Sequence, residues 1–102
     1  MPSSALMPAE VIVYSTDYCP YCYRAKSLLS KKKIPFIEVN VEDRPDLRSW
    51  LITASGQRTV PQIFVNGRAI GGFSDMAELE HQKKLDPLLA QSKPAGAPIL
   101  PQ

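Results

Sequence analysis

The stretch Val11-Ile12-Val13-Tyr14-Ser15-Thr16-Asp17-Tyr18-Cys19-Pro20-Tyr21-Cys22 decides how this chain folds. Val11 to Tyr14 is a short β-branched and aromatic run, the pattern of a strand buried on both faces. The chain then turns through Ser15 to Cys19 and enters a helix at Pro20, whose missing N–H does no harm in a first turn. Ala25, Leu28 and Leu29 carry an apolar face onward at helical spacing. Ile34-Pro35 ends the helix, because the residue before a proline is pushed towards extended geometry. A second strand follows over Phe36 to Val41, with Ile37, Val39 and Val41 alternating against Glu38 and Asn40. Strand, helix, strand within about 30 residues is a βαβ unit, with parallel strands and a right-handed crossover.

Beyond this unit, Asp43 and Pro45 open another helix. Its Leu47, Trp50, Leu51 and Ala54 fall at i, i+3, i+4 and i+7, on one apolar stripe, and Gly56 stops it. Gln62 to Val65 and Arg68 to Gly71 flank Asn66-Gly67, a strong hairpin signal. Gly71-Gly72 leads to Ser74, a residue suited to an N-cap, and to a helix carrying Met76 and Leu79. Asp86-Pro87 opens a last turn able to dock Leu88 and Leu89. From Gln91 the chain has three prolines and no period, so residues 91–102 are expected as a flexible tail behind a domain over residues 9–90. The fold class expected is α/β, a four-stranded mixed sheet flanked by helices on both faces.

The 102 residues suffice for one domain and not for two. At 44% hydrophobic and 22% charged the composition is globular. A formal charge of +2 with no basic stripe interleaved with aromatics argues against nucleic acid. Lys31-Lys32-Lys33 falls at a helix carboxyl end, where cations suit the dipole and a solvated helix terminus is the reading. No apolar run approaches the ~20 residues of a membrane helix. Met1 to Glu10 lacks a basic n-region and a sustained apolar h-region, so no signal peptide is expected. A cytoplasmic monomer is the expectation.

The only cysteines, Cys19 and Cys22, stand three positions apart. Closing so short a loop stabilises little, so the pair reads as reactive or metal-binding in a reducing compartment. A structural zinc site needs a full tetrahedral set, and the chain offers beyond the pair one distant histidine, His81, read as a solvated helix-surface residue. Tyr14, Tyr18 and Tyr23 read as packing residues. A C-x-x-C beside a βαβ pattern points to redox chemistry. At a helix cap, unsatisfied N–H groups and the dipole favour an anion, so the Cys19 thiol should titrate well below the ~8.5 of free cysteine. Cys22 lies one turn deeper on the same face. Cys19 is thus the attacking sulfur of a disulfide exchange and Cys22 the resolving one. In Arg58-Thr59-Val60-Pro61, Pro61 stands just before a strand and removes a ladder donor; sequence physics by itself leaves the Val60-Pro61 bond trans.

Three motifs together resemble the glutaredoxin family: Cys19-Pro20-Tyr21-Cys22 its dithiol site, Arg58-Thr59-Val60-Pro61-Gln62-Ile63-Phe64 its threonine-valine-proline loop, and Gly71-Gly72-Phe73-Ser74-Asp75 its glycine-glycine turn. Their order and spacing agree over about Val11 to Leu89. The resemblance implies a thioredoxin-like fold with Val60-Pro61 cis, and a groove for glutathione as co-substrate with no bound cofactor. It implies that Val60 pairs its backbone with the cysteinyl part, with Thr59 and Pro61 beside it. Gly72, Ser74 and Asp75 would hold the γ-glutamyl end, Tyr21 would shape a wall, and Arg58 would lie near the glycine carboxylate. Bottom-up, a helix opening at Ser74 offers N–H groups to a carboxylate and Asp75 an acceptor to an ammonium. Glutathionylated proteins, low-molecular-weight disulfides and protein disulfides are the implied substrates. The rival within the resemblance is a glutathione-ligated iron–sulfur cluster carrier working as a dimer. The family's lysine three residues before the first cysteine is replaced by Thr16, and Phe73 stands where the family often has a cysteine.

Overall fold

A computed structural model describes residues 9–102. Four strands form one sheet in the order β2-β1-β3-β4. They are β1 (Val11–Ser15), β2 (Ile37–Asn40), β3 (Gln62–Val65) and β4 (Arg68–Gly71), interleaved with helices α1 (Pro20–Lys31), α2 (Pro45–Ser55), α3 (Phe73–His81) and α4 (Leu85–Leu89). Strand β1 runs parallel to β2, with Ile12 opposite Ile37, and antiparallel to β3, with Val11 opposite Val65 and Tyr14 opposite Gln62. The sheet is therefore mixed, as the sequence indicates.

Because side chains alternate along a strand, β1 feeds two cores. Val11 and Val13 meet Ala25 and Leu29 of α1, Met76 of α3 and Leu85 and Leu89 around α4. Ile12 and Tyr14 meet Val39, Val41, Phe64 and the α2 residues Leu47 and Leu51. All of β1 is buried. Each such aliphatic side chain contributes about 1.5–3 kcal/mol, which explains why this strand is the centre of the sheet.

The local signals fare well, with three revisions of boundary or burial. Helix α1 ends at Lys31 rather than at Ile34, since Lys33 adopts a left-handed φ of 58°. Strand β2 starts at Ile37, not Phe36. In α2 the stripe narrows to Leu47 and Leu51 fully buried, with Trp50 half-buried and Ala54 exposed. Asn66 and Gly67 both have positive φ, 53° and 83°, the geometry of the tight hairpin turn whose twist matches the strands. Asn66 also accepts from the Glu10 N–H at 2.9 Å and donates to the Gln91 carbonyl at 2.9 Å, tying the start of β1 to the chain beyond α4.

The lysine run is not simply solvated. Lys32 reaches Asp86 at 2.7 Å and Glu80 at 2.8 Å, pinning α1 to α3 and α4. Burial opposes its charge, but these two carboxylates outweigh it and raise its pKa.

Residues 91–102 lie on the domain rather than away from it. Leu100 is only 8% exposed and joins the core beneath α2, and the Tyr14 hydroxyl donates to the Pro101 carbonyl at 2.7 Å. Burial first, and then the charge of Glu10, push that hydroxyl up to about 12. Lys93 pairs with Glu10 at 3.1 Å. Pro98 packs so close to Gly67 that a Cβ there would come within 2.9 Å of its ring. The segment expected as a flexible tail therefore lies against the domain, with Leu100 adding to the core that α2 also covers.

Truncating Leu100→Ala should lower stability by about 2 kcal/mol, as removal of a buried leucine does. Urea unfolding reads this as a lower midpoint at unchanged slope; an unmoved midpoint would mean that the segment adds nothing to the fold.

Candidate active site

Strand β1 ends at Ser15, and four residues later the chain reaches Cys19, extended at φ −147° and ψ 95°, which caps α1 with Pro20 in its first turn. This is the cap that the sequence indicates. Its sulfur accepts from the Cys22 N–H at 3.0 Å. The two cysteines are joined as a disulfide, with Cα atoms 5.1 Å apart. Cys22 is 2% exposed whereas Cys19 is half-buried, so an incoming reagent meets Cys19. The division between an attacking and a resolving sulfur therefore has a steric basis as well as an electrostatic one.

No basic side chain on α1 takes the place of the lysine that Thr16 replaces. Lys26, one turn past Cys22, is held by Glu38 at 2.8 Å. That hydrogen bond lowers the Glu38 pKa against the opposing effect of burial, with help from the Ser15 hydroxyl at 2.7 Å. The Arg24 guanidinium lies 5.3 Å over the Tyr21 ring. What remains for a Cys19 thiolate is the Cys22 N–H and the helix terminus, with no acidic residue in the first turn of α1 to oppose it.

Because β3 runs antiparallel to β1, its beginning lies beside the end of β1. The Val60 carbonyl is 3.8 Å from the Cys19 sulfur, and the Val60-Pro61 bond is cis, as the resemblance implies. A groove of about 260 Å³ lies on this side, lined by Val60 and by Tyr21 from between the two cysteines. Tyr21, Thr59, Val60, Pro61, Gly72, Ser74 and Asp75 all line it. Arg58 does not; it is exposed outside, and Gln57 lines the groove instead.

Gln62 follows Pro61 in the loop motif, which by itself assigns it no role. It is fully buried, and its amide donates to the Thr59 carbonyl and to Gln57 Oε1, both at 2.9 Å. It thereby braces the loop that presents Val60. A glutamine within the otherwise apolar Val60-to-Val65 run is the signal that could have singled it out.

The other wall is the start of α3. Its N-cap is Gly72, not Ser74, which sits inside the first turn. Gly71 has φ 107°, and a side chain there would strike Asp75. This freedom lets the Asp75 Oδ2 accept from the Gly72 N–H at 2.9 Å. A Cβ on Gly72 would stand 3.3 Å from the Pro61 carbonyl, so a glycine here lets the two walls approach. The next N–H groups of α3 have no partner within the helix and favour an anion. Phe73 completes the rim, stacked on Tyr21 with centroids 6.3 Å apart. Two sequence expectations about aromatics fail nearby: Tyr18 and Tyr23, read as packing residues, are 91% and 72% exposed. Tyr14 alone of the three packs inside.

The arrangement joins a redox-active sulfur to a groove that carries anion-favouring amides and one carboxylate. With Cys22 replaced by serine, Cys19 should titrate clearly below free cysteine, readable as thiolate ultraviolet absorbance against pH. An ordinary thiol pKa would show that the helix terminus and a single N–H do not suffice without a lysine at position 16.

Comparison with known proteins agrees with this geometry. A sequence model of the glutaredoxin family matches residues 11–70. The chain is 44% identical over 80 residues to a glutaredoxin of Pseudomonas aeruginosa, covering 78% of this chain and 95% of that protein. It is 44% identical over 81 residues to glutaredoxin 3 of Escherichia coli, covering 79% and 98%. Among solved structures, a glutaredoxin from Brucella melitensis superposes with a TM-score of 0.75 at 42% identity, over 82% of this chain and 91% of that one. A buckwheat glutaredoxin–glutathione complex superposes with a TM-score of 0.74 at 31% identity, over 85% and 83%. With its paired cysteines, thioredoxin-like fold and thiol–disulfide oxidoreductase chemistry, the chain belongs to the glutaredoxin family, as a dithiol member.

Proposed function

We propose that the protein is a glutathione-dependent disulfide oxidoreductase acting on glutathionylated proteins, low-molecular-weight disulfides and protein disulfides. The observation that supports this most is that Val60, whose carbonyl is 3.8 Å from the half-buried Cys19 sulfur, lines a groove bounded by the start of α3. The glutathione complex of the buckwheat relative supports the ligand.

In this reading the γ-glutamyl carboxylate takes the free N–H groups at the start of α3, and its ammonium takes Asp75. The Asp75 Oδ2 already serves Gly72, which leaves Oδ1 for the ligand. The cysteinyl backbone pairs with Val60, and Tyr21 closes the side of the groove. Thr59 and Pro61 hold Val60 in place, and Gln57 stands nearer to the groove than Arg58 does.

For a glutathionylated protein, the Cys19 thiolate attacks the glutathione sulfur. A Cys19–glutathione disulfide forms, and the protein thiolate leaves and takes a proton. A second glutathione thiolate then attacks the glutathione sulfur held on Cys19, forming oxidised glutathione and restoring the Cys19 thiolate. For a protein disulfide, Cys19 forms a mixed disulfide with one sulfur, and Cys22, deprotonated, attacks Cys19. The protein leaves as a dithiol, and two glutathiones reduce the internal disulfide. The internal bond between Cys19 and Cys22 supports this dithiol cycle over a cluster carrier. A monomer in a reducing cytoplasmic compartment fits the reading.

Cys19→Ser should abolish both activities. Cys22→Ser should keep deglutathionylation and lose most reduction of protein disulfides, measured with a glutathionylated peptide and a disulfide-bonded protein. Loss of deglutathionylation in a folded Cys22→Ser variant would overturn the monothiol half of the mechanism.

Asp75 has two roles that one substitution separates. Asp75→Asn keeps an oxygen for the Gly72 N–H and removes the charge, so the melting temperature should hold while KM for glutathione rises several-fold. If KM stays unchanged, the carboxylate serves only as a cap.

A further inference from the structure

A second groove, of about 360 Å³, runs between α1 and α3 on the far side of Phe73 from the glutathione groove. Its floor is apolar, built from Leu28, Phe73 and Ala77, and its rim on α1 is basic, with Arg24 and Lys31. Helix α1 carries no acidic residue. Among the described residues, neither Arg24 nor Lys31 forms an ion pair, and Glu80, the one acid at the groove, is held by Lys32 at 2.8 Å. The exposed Tyr23 closes one end. Phe73 lines both grooves, so the second adjoins the first, whose Val60 carbonyl stands 3.8 Å from the Cys19 sulfur.

We propose that this groove docks the segment of a protein substrate that flanks its reacting cysteine, seating one apolar side chain over Ala77 and a carboxylate at Lys31. The proposal rests on the oxidoreductase reading above, and it adds a preference among protein substrates. The apolar floor supplies contact area, and the unpaired cations supply the sign. A rim charge of this kind acts on selection and encounter more than on chemistry. Helix geometry sets the spacing. Ser27, at the middle of the groove, is eight residues beyond Cys19, or about 12 Å along the helix. An extended segment crosses that in about four residues. Lys31 lies four residues further along, about 6 Å, or about two residues of extended chain.

The test uses glutathionylated peptides with leucine four residues from the cysteine and glutamates at the next two positions. One control peptide carries lysines in place of the glutamates, and another serine in place of the leucine. For the wild type, KM for the acidic peptide should be about five-fold below that for the lysine peptide, with the gap closing at high salt. Lys31→Glu should reverse the order of the two peptides and leave turnover of a small glutathione mixed disulfide unchanged. Ala77→Phe, which fills the floor, should raise KM for the leucine peptide towards that of the serine one. A wild type indifferent to peptide charge overturns the proposal, as does a Lys31→Glu variant that slows the small disulfide equally. Binding of cysteine-free, dye-labelled versions of the same peptides, read by fluorescence anisotropy, keeps the two readings apart. Charge-selective binding lost in Lys31→Glu supports the groove even if glutathione turnover fails, and absent binding overturns the groove even if turnover succeeds.

Discussion

The antiparallel pairing of β1 with β3 is the constraint on which the site depends. With Tyr14 opposite Gln62, the end of one strand lies beside the beginning of the other. The chain that leaves β1 becomes the Cys19 cap, and the chain that enters β3 is the Val60-Pro61 loop. A one-residue slip would exchange the two faces of the strand. It would carry Ile12 and Tyr14 to the α1 side and separate the Val60 carbonyl from the Cys19 sulfur. The two hydrophobic cores therefore hold the catalytic geometry in register, in addition to stabilising the sheet.

Much of this was legible in the sequence because the deciding signals are local. Pro20, the apolar spacing in α1, and Asn66-Gly67 each act through their own backbone or through neighbours a turn away, and the structure follows them. What was not legible depends on contacts made across the fold. Leu100 has no periodic neighbours, and only the core that α2 also covers gives it a place. The N-cap of α3 moved from Ser74 to Gly72 because the positive φ of Gly71 brings the Asp75 carboxylate back onto the chain, a relation that cap preferences alone do not reveal.

The site residues divide in the same way. Those expected to act through their backbone, Val60, Pro61 and Gly72, all line the groove. Among the side chains, Tyr21, Ser74 and Asp75 also reach the groove, whereas Arg58 turns outward and Gln57 takes its place. A long, exposed side chain in a loop is not fixed by spacing. Tyr18 and Tyr23 went astray for a related reason. Tyrosines so near a core strand suggest burial, but Tyr18 adjoins Cys19, the sulfur that must remain reachable, and Tyr23 is left at the edge of the groove between α1 and α3.

The unequal burial of the two sulfurs has a kinetic consequence. Reduction of the internal disulfide needs a nucleophile in line with one sulfur and departure of the other as an anion. Since Cys19 is the reachable sulfur, Cys22 is always the leaving group. It leaves from a buried position that water does not reach, so its departure gains nothing from hydration. The oxidised form is thus guarded against casual thiols, while a thiol that the groove holds in line at Cys19 gains proximity that free thiols lack. Burial of one atom turns a symmetric bond into a one-way door.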